Sequence, residues 1–518
     1  MAGVSPYQTA LDLKRTKPDW VPNEEDRDRV QAYNTYWDVY QNVAEAFKVV
    51  LRDDTGDEIS RRFIPAARTI IEATNRYLAK NPTVTPRPLT VNPDGTEVQP
   101  DEAATIDLMG RVNSFFEREE FFTKFSSMKR WMLIRGDGLL HVTANDQKEE
   151  GQRLRIVELD PGSYFTINDP LDVDRVVGVY LVTLVKDDKD ELVAQRQAYL
   201  KTETGAIFTK LDFFERDKWD DRWPLSEDDL KPVDVPSRFA GMEALLEGFD
   251  LPSQITSIPV YHYRNRRGGG LPFGISELQG IETLLAGIHQ TATDEDITIA
   301  QTGIGIFVTS SGSPKDDQGN EQEWVIAPAS VLELESKDDF FERVKGVDTV
   351  QPLLDHLGML EGQARQTTGT PDIAVGTVDV QVAESGIALA IKMNPITAKN
   401  EETEIELRGR TEQMLFDLVN MWLPAYEAYT PTGIKLVMTF DDPLPVDRAA
   451  VLKEILDMVA AKIIPIAFAQ KLIKERLGYD IPADALAQMA AENQQLLDSV
   501  GGRLGAEEAG GNPNAGVV

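Results

Sequence analysis

The stretch from Ile258 to Ala300, IPVYHYRNRRGGGLPFGISELQGIETLLAGIHQTATDEDITIA, limits the possible folds more than any other part of the chain. Pro259–Tyr263 alternates as a strand does, with Val260 and His262 on one face and Tyr261 and Tyr263 on the other. Arg264-Asn265-Arg266-Arg267 and three glycines follow, a turn that neither a helix nor a strand interior accommodates. Ser276 with Gln279 three residues on fits a capping box, so a helix is predicted from there to about Ala300. Leu278, Ile281, Leu284, Leu285 and Ile288 supply its apolar stripe. The stripe thins into Thr291, Thr293, Asp294, Glu295 and Asp296, and this half is predicted to show a polar surface to a neighbouring copy or a solvent-filled space.

A chain of 518 residues has room for several domains. Its 42% hydrophobic and 27% charged content is that of a folded soluble protein. With no cysteine, neither a disulfide framework nor a thiolate metal site can form. His141, His262, His289 and His356 are not at ligand spacing, so no zinc site or other cofactor is expected. The segment MAGVSPYQTALDLKRTKPDW lacks a signal-peptide core and no apolar run is long enough to span a bilayer; synthesis in the cytoplasm, with no membrane partner, is the expectation. A net charge of −33 argues against a protein that grips nucleic acid, which needs a basic face to displace counterions. The same charge suits solubility, and it also suits a conduit along which DNA must slide.

From the start of the chain, residues 1–30 read as a polar arm. Helices are predicted from Val30, from Arg62 to Lys80 where NPTVTPRP (81–88) stops it, and from Ala103 to about Trp131. The phenylalanines 115, 116, 121, 122 and 125 of the last belong to a core. WMLIRGDGLLHVTA (131–144) reads as a hairpin turning at Gly136-Asp137-Gly138, a turn role that outweighs an adhesion reading of Arg135-Gly136-Asp137. Strands follow at 154–159, 175–185, 192–200, 206–214 and 255–263, interrupted by an acidic loop at 215–232. The class is α+β, helices first and a mostly antiparallel sheet after.

Beyond the organising helix, GIGIFVTS (303–310) and WVIAPASVLELE (324–335) read as strands flanking a polar loop, 311–323. A helix capped by Asp348 and Gln351 runs to Gln366 along Val350, Leu353, Leu354, Leu357, Leu360 and Ala364. A glycine- and threonine-rich connection, 367–385, is longer than a link between helices requires. One very long helix, 385–424, is kinked or interrupted at Pro395 and stopped by Pro424. A strand at 432–447, three helices over 447–497 and a glycine-rich, disordered tail (501–518) complete the chain.

Two segments, the IPV-Y-Y-N strand with its glycine turn and GISEL, and SGIALAIKMNP…KNEE (385–402), resemble the portal proteins of long-tailed bacteriophages. So does the order strand, helix, excursion, helix, loop, long kinked helix over 258–424. The resemblance implies a portal fold: a wing (1–265), stem helix 1 (266–302), a small β-containing clip (303–346), stem helix 2 (347–366) and a tunnel loop (367–385). The wing's long kinked helix and strand (386–445), a helical crown (446–500) and the tail (501–518) follow. It implies a twelve-membered ring at one capsid vertex, assembled in the host cytoplasm and retained in the virion beside the major capsid and scaffolding proteins. Double-stranded DNA would pass through it, without sequence recognition, during packaging and ejection. The clip would dock the terminase large subunit and later the head–tail adaptor. On this reading Thr377, Asp379, Gln381 and Glu384 face the channel, and Lys315, Asp316, Asp317 and Gln318 form the clip tip. Arg264, Arg266 and Arg267 pair across subunits.

Catalytic motifs do not emerge. There is no G-x-x-x-x-G-K-[ST], no G-x-S-x-G and no H-E-x-x-H. GGGLPFG is a turn before a helix, although glycines at a helix start can cradle an anion. Tyr261–Arg267 reads as a strand end meeting an acidic neighbour, or as a patch on which bases stack. The rival is a cytoplasmic metal-dependent enzyme using clustered carboxylates, Asp294, Glu295 and Asp296 being the densest; a non-viral scaffolding protein is a third reading.

Overall fold

The computed structural model describes residues 24–47, 62–89, 101–169, 171–189, 192–215, 231–233, 235–239, 241–267, 272–304, 306–310, 313, 318, 336, 338–344, 350–376, 386–443 and 448–477. The clip residues Lys315, Asp316 and Asp317, the channel residues Thr377, Asp379, Gln381 and Glu384, the strand at 324–335, the last predicted helix and the tail lie outside them. The chain divides into two compact units, Met1–Pro443 and Leu444–Val518.

The first unit mixes helices with antiparallel sheet. It opens with α1 (Glu24–Gln41), α2 (Ala66–Tyr77), β1 (Lys80–Pro88), α3 (Glu102–Arg118) and α4 (Phe121–Arg135). The predicted single helix over 103–131 is thus two. They part at Glu120, whose φ of 51° is left-handed. Glu119 beside it is turned inward, its carboxylate accepting from the Ile156 amide at 3.1 Å and pairing with Lys124 at 3.4 Å. The prolines of 81–88 do not merely stop a helix. They sit in β1, which among the described residues pairs only with a strand at 434–441, and Pro82, Pro86 and Pro88 fall on one side of the alternation. An edge strand tolerates proline where the N–H would point away from its partner.

No hairpin forms at 136–138. Gly136 ends α4 with φ 92°, its N–H returning to the Met132 carbonyl at 2.8 Å, and Asp137 already begins β2 (Asp137–Ala144). An adjacent glycine is the natural end of a helix, and here it leads straight into a strand. β2 pairs with β3 (Leu154–Leu159) on one side. A second sheet follows: β4 (Tyr164–Asp169), β5 (Asp172–Lys186), β6 (Leu192–Lys201) and β7 (Ile207–Glu215), with short strands β8 (Lys231–Pro232) and β9 (Phe249–Asp250) on β7. β10 (Val260–Arg264) then returns to pair with β2, Tyr263 opposite Gly138.

After β10 the chain does not enter a helix at Ser276. The helix, α5, is Glu282–Ile304. Gly280 adopts φ 90°, which holds off helical geometry, and the Ser276 hydroxyl donates to the Ile134 carbonyl at 2.5 Å. The apolar stripe is nonetheless right: Leu278, Ile281, Leu285 and Ile288 are buried. β11 (Ile306–Thr309) and β12 (Phe341–Val344) pair antiparallel, and α6 (Gln351–Thr367) packs back along α5. Ile306 pairs with Val344 in the strands, and in the helices a Cβ added at Gly287 would lie 3.3 Å from Leu360 Cδ1, so the two arms run as one antiparallel pair.

α7 (Gly386–Asp417) crosses the unit and is continuous through Pro395. One π-type turn, Leu418–Trp422, carries it on to Tyr426, and Pro424, which has no N–H to give, is absorbed there instead of ending the helix. β13 (Ile434–Asp441) closes against β1. The main core gathers Ile70 and Ile71 of α2, Phe121 and Phe125 of α4, Tyr261 and Tyr263 of β10, and Leu415 and Trp422 of the long helix. The second unit holds α8 (Arg448–Ala460) and α9 (Ile466–Leu477).

Candidate functional site: a buried polar joint beneath the helix pair

Two chain segments far apart in sequence meet under α5 and α6. The first is the run 265–280, which folds back on the end of α4. Asn265 donates its backbone N–H to the Gly136 carbonyl at 2.7 Å, and Glu277 donates its own to the Leu133 carbonyl at 3.0 Å. The Asn265 amide nitrogen reaches the Ile275 carbonyl at 2.8 Å and a Glu277 carboxylate oxygen at 3.1 Å. The backbones cross so closely that a Cβ on Gly274 would lie 2.1 Å from the Gly136 carbonyl oxygen. Gly274→Ala is therefore expected to cost about 3 kcal/mol, because a backbone carbonyl cannot swing aside. Gly110→Ala, within α3 and with nothing within 4 Å of its added Cβ, should stabilise by several tenths to about 1 kcal/mol. Urea midpoints of the two variants check both signs.

The second segment is the middle of α7. Lys399 extends its ammonium to Glu277 at 2.9 Å, to the Thr368 carbonyl at 2.8 Å and to the Thr74 hydroxyl at 3.4 Å. The Glu277 side chain is only 1% exposed. Burial lowers the Lys399 pKa, and the nearby Glu277 carboxylate pulls it back up. One lysine thus ties the residues leading into α5, the end of α6, and α2 to the long helix. The connection after α6 begins at the same point. Thr368 and Thr370 are buried, Arg365 pairs with Asp372 at 2.7 Å, and a single 3-10 turn, Asp372–Val375, ends at Gly376 with φ 94°. Of the predicted loop 367–385, the first part is therefore a built anchor.

About two turns further along α7, Glu406 gathers arginines. Arg264 approaches it at 3.3 Å, Arg267 at 2.8 Å and Arg410 at 3.4 Å, and these guanidinium groups hold its carboxyl pKa low against the burial that would raise it. Arg266 lies 3.6 Å from Glu277. The three arginines expected at a subunit boundary are thus all engaged within the chain. The Arg264 side chain is 4% exposed, Arg266 37% and Arg267 56%. Gln318 is exposed.

The polar half of α5 is not an open surface. Thr291, Thr293 and Glu295 are buried, and residues 62–64 lie against Thr293 and its neighbours. The Arg62 amide donates to the Thr293 hydroxyl at 3.2 Å, the Ile64 amide to His289 Nδ1 at 3.1 Å, and Arg62 pairs with Asp296 at 3.1 Å. Burial lowers the His289 pKa to about 4, so its ring stays a neutral acceptor at pH 7. Asp294 accepts from Gln290 at 3.0 Å. Asp294 and Asp296 are therefore engaged by local partners, and among the described residues no three His, Cys, Asp or Glu side chains meet as a metal site would require. An Asp137–His262 contact at 2.6 Å exists, but Asp137 also takes the Tyr33 hydroxyl and the Gly274 amide, which makes it a structural bracket. Among the described residues no helix is long and apolar enough to cross a membrane.

The joint is the part that sequence reasoning missed, although its members were in view. Glu277 stands in GISEL and Lys399 in the K-N-E-E run, the two segments on which the family resemblance rests. A buried Glu–Lys pair leaves no periodic signal; a charged residue inside an apolar stripe was the available hint.

No family model matches the sequence, and no curated protein matches it. Among solved structures, a chain of the "Neck of native GTA particle computed with C12 symmetry" is similar, with 14% identity and a TM-score of 0.44, over 88% of this chain and 95% of that one.

Proposed function

We propose that the chain is a portal subunit, a ring-forming protein of one capsid vertex through which double-stranded DNA is packaged and ejected. The observation that carries this reading is the joint itself. The two segments that resemble portal proteins are not merely present in the right order; they are bonded through Glu277 and Lys399 at 2.9 Å, at the base of an antiparallel helix pair that carries the 306–344 excursion at its far end. On this reading α5 and α6 are the stem. The excursion is the clip that meets the terminase large subunit and then the head–tail adaptor, with Lys315, Asp316, Asp317 and Gln318 at its tip. The segment 377–385 is the constriction.

In mechanism such a subunit acts through shape. A duplex must slide, so contacts to it must be weak, and a chain of net charge −33 repels phosphate over the range of a Debye length, about 8 Å at physiological salt. The same charge opposes assembly, so cations must serve the contact between copies. Arg266 and Arg267 keep exposed surface for that role; Arg264 is turned inward. A closed ring needs one face of each copy to fit a different face of the next.

Negative-stain images and light scattering of the purified chain test this. Closed rings with a central opening wide enough for duplex DNA are the expected result. A solitary compact particle would overturn the reading.

A further inference from the structure

A cavity of about 240 Å³ lies where β4, β10 and α7 come together within the first unit. Its lining includes Lys201 at the end of β6, His262 and Arg264 on β10, and Arg410 on α7. Neutral hydrogen-bonding groups complete the wall: the hydroxyls of Thr166, Thr256 and Tyr164, and the amides of Asn168 and Gln413. Among the described residues the lining contains no aspartate and no glutamate. In a chain with 86 acidic residues against 53 basic ones, that is a local inversion of the overall charge.

Among the described residues three carboxylates stand behind the wall and each has its own partners: Asp417 accepts from the Ser257 hydroxyl at 2.7 Å and the Tyr261 hydroxyl at 2.9 Å, Asp137 meets His262, and Glu406 meets arginines. Glu406 accepts ion pairs from Arg264, Arg410 and Arg267 together, so it is shared among three guanidinium groups. Lys201 makes no ion pair with a described residue. Asp137 abuts His262 from the other side at 2.6 Å. Pockets that enclose drug-sized molecules run from about 300 to 1,000 Å³. This one is smaller, so its occupant is compact.

We propose that the cavity binds one phosphate-sized oxyanion, held by Arg410 and Lys201 and oriented by the surrounding hydroxyls. Charge-assisted hydrogen bonds from ammonium and guanidinium groups are the strong ones, and a half-enclosed site strengthens them further. Occupancy would pin the second sheet to β10 and to the long helix, because the lining residues come from all three. This inference is independent of ring formation.

The experiment is calorimetric titration of inorganic phosphate into the full chain, alongside thermal unfolding in phosphate or in sodium chloride of matched ionic strength. Phosphate is expected to bind saturably and to raise the unfolding temperature beyond chloride, as any ligand of the folded state does. Lys201→Gln and Arg410→Gln should each weaken binding about tenfold. Lys435→Gln, exposed on β13 and outside the lining, should bind as the wild type does. Lys201 is partly exposed at a strand end, so Lys201→Gln decides the matter alone if Arg410→Gln does not fold. Phosphate acting no differently from chloride would overturn the proposal, as would undiminished binding by folded Lys201→Gln. A short DNA duplex separates the other source of the same chemistry: protection by the duplex without any by phosphate would also overturn it.

Discussion

Lys399→Met is expected to lower the stability of the first unit by about 3–5 kcal/mol, the cost of removing one partner of a buried ion pair. The Glu277 side chain, 1% exposed, would then keep its charge with only the Asn265 amide at 3.1 Å and Arg266 at 3.6 Å to answer it. Arg266 is partly solvated, which places the loss towards the lower end of that range. The pair contributes little net stability, since burial depresses the Lys399 pKa even with Glu277 beside it. The penalty is that of an uncompensated charge, so it should be largely reversible. Lys399→Met with Glu277→Gln removes both charges, and the double variant should recover much of the single variant's deficit. Some deficit remains because the Thr368 carbonyl also loses its donor. Urea unfolding of the four chains makes the comparison. A single variant within 1 kcal/mol of wild type, or a double variant worse than the single, would show that the joint does not hold the unit together.

What could be read from the sequence was mostly local. Leu285 and Ile288 identified the buried face of α5 correctly, with Leu284 half-buried, while Leu278 and Ile281 are buried ahead of the helix. The helix start was misplaced. Ser276 has the right neighbours for a cap, but its hydroxyl is committed to Ile134, well over a hundred residues earlier in the chain. Gly136-Asp137-Gly138 failed for a similar reason. Its chemistry suits a hairpin, yet Gly138 packs against Met128 and Gly136 against Gly274, and those crossings decide its conformation. The polar end of α5 looked solvated because Arg62 and Ile64, which cover it, lie far upstream. In each case the composition was legible and the partner was not. Long-range hydrogen bonds override local preference where backbones run close, and the glycines mark where that happens.

Replacing 377–385 by a glycine–serine run of equal length is expected to leave folding and ring size unchanged and to abolish most DNA packaging or retention. The first half of this expectation follows from how the segment is held. Its upstream end is fixed by Lys399 on the Thr368 carbonyl, by Arg365 on Asp372 and by the turn at Gly376, and its downstream end enters α7 at Gly386. None of those anchors uses a side chain from 377–385, so losing them all should not disturb the joint. The second half follows from the sequence Thr377-Val378-Asp379-Val380-Gln381-Val382, which alternates polar and branched apolar residues. If one set faces a moving duplex, Thr377, Asp379, Gln381 and Glu384 offer neutral or repelling contacts that slow DNA without gripping it. A glycine–serine run has neither the bulk to narrow a channel nor the valines to pack its back. Rings of normal size that still package and retain a full genome would refute the constriction while leaving the ring intact. Rings that fail to form would instead place 377–385 between neighbouring copies, and the Lys399→Met comparison separates that outcome from simple unfolding, because it weakens the unit without touching the segment.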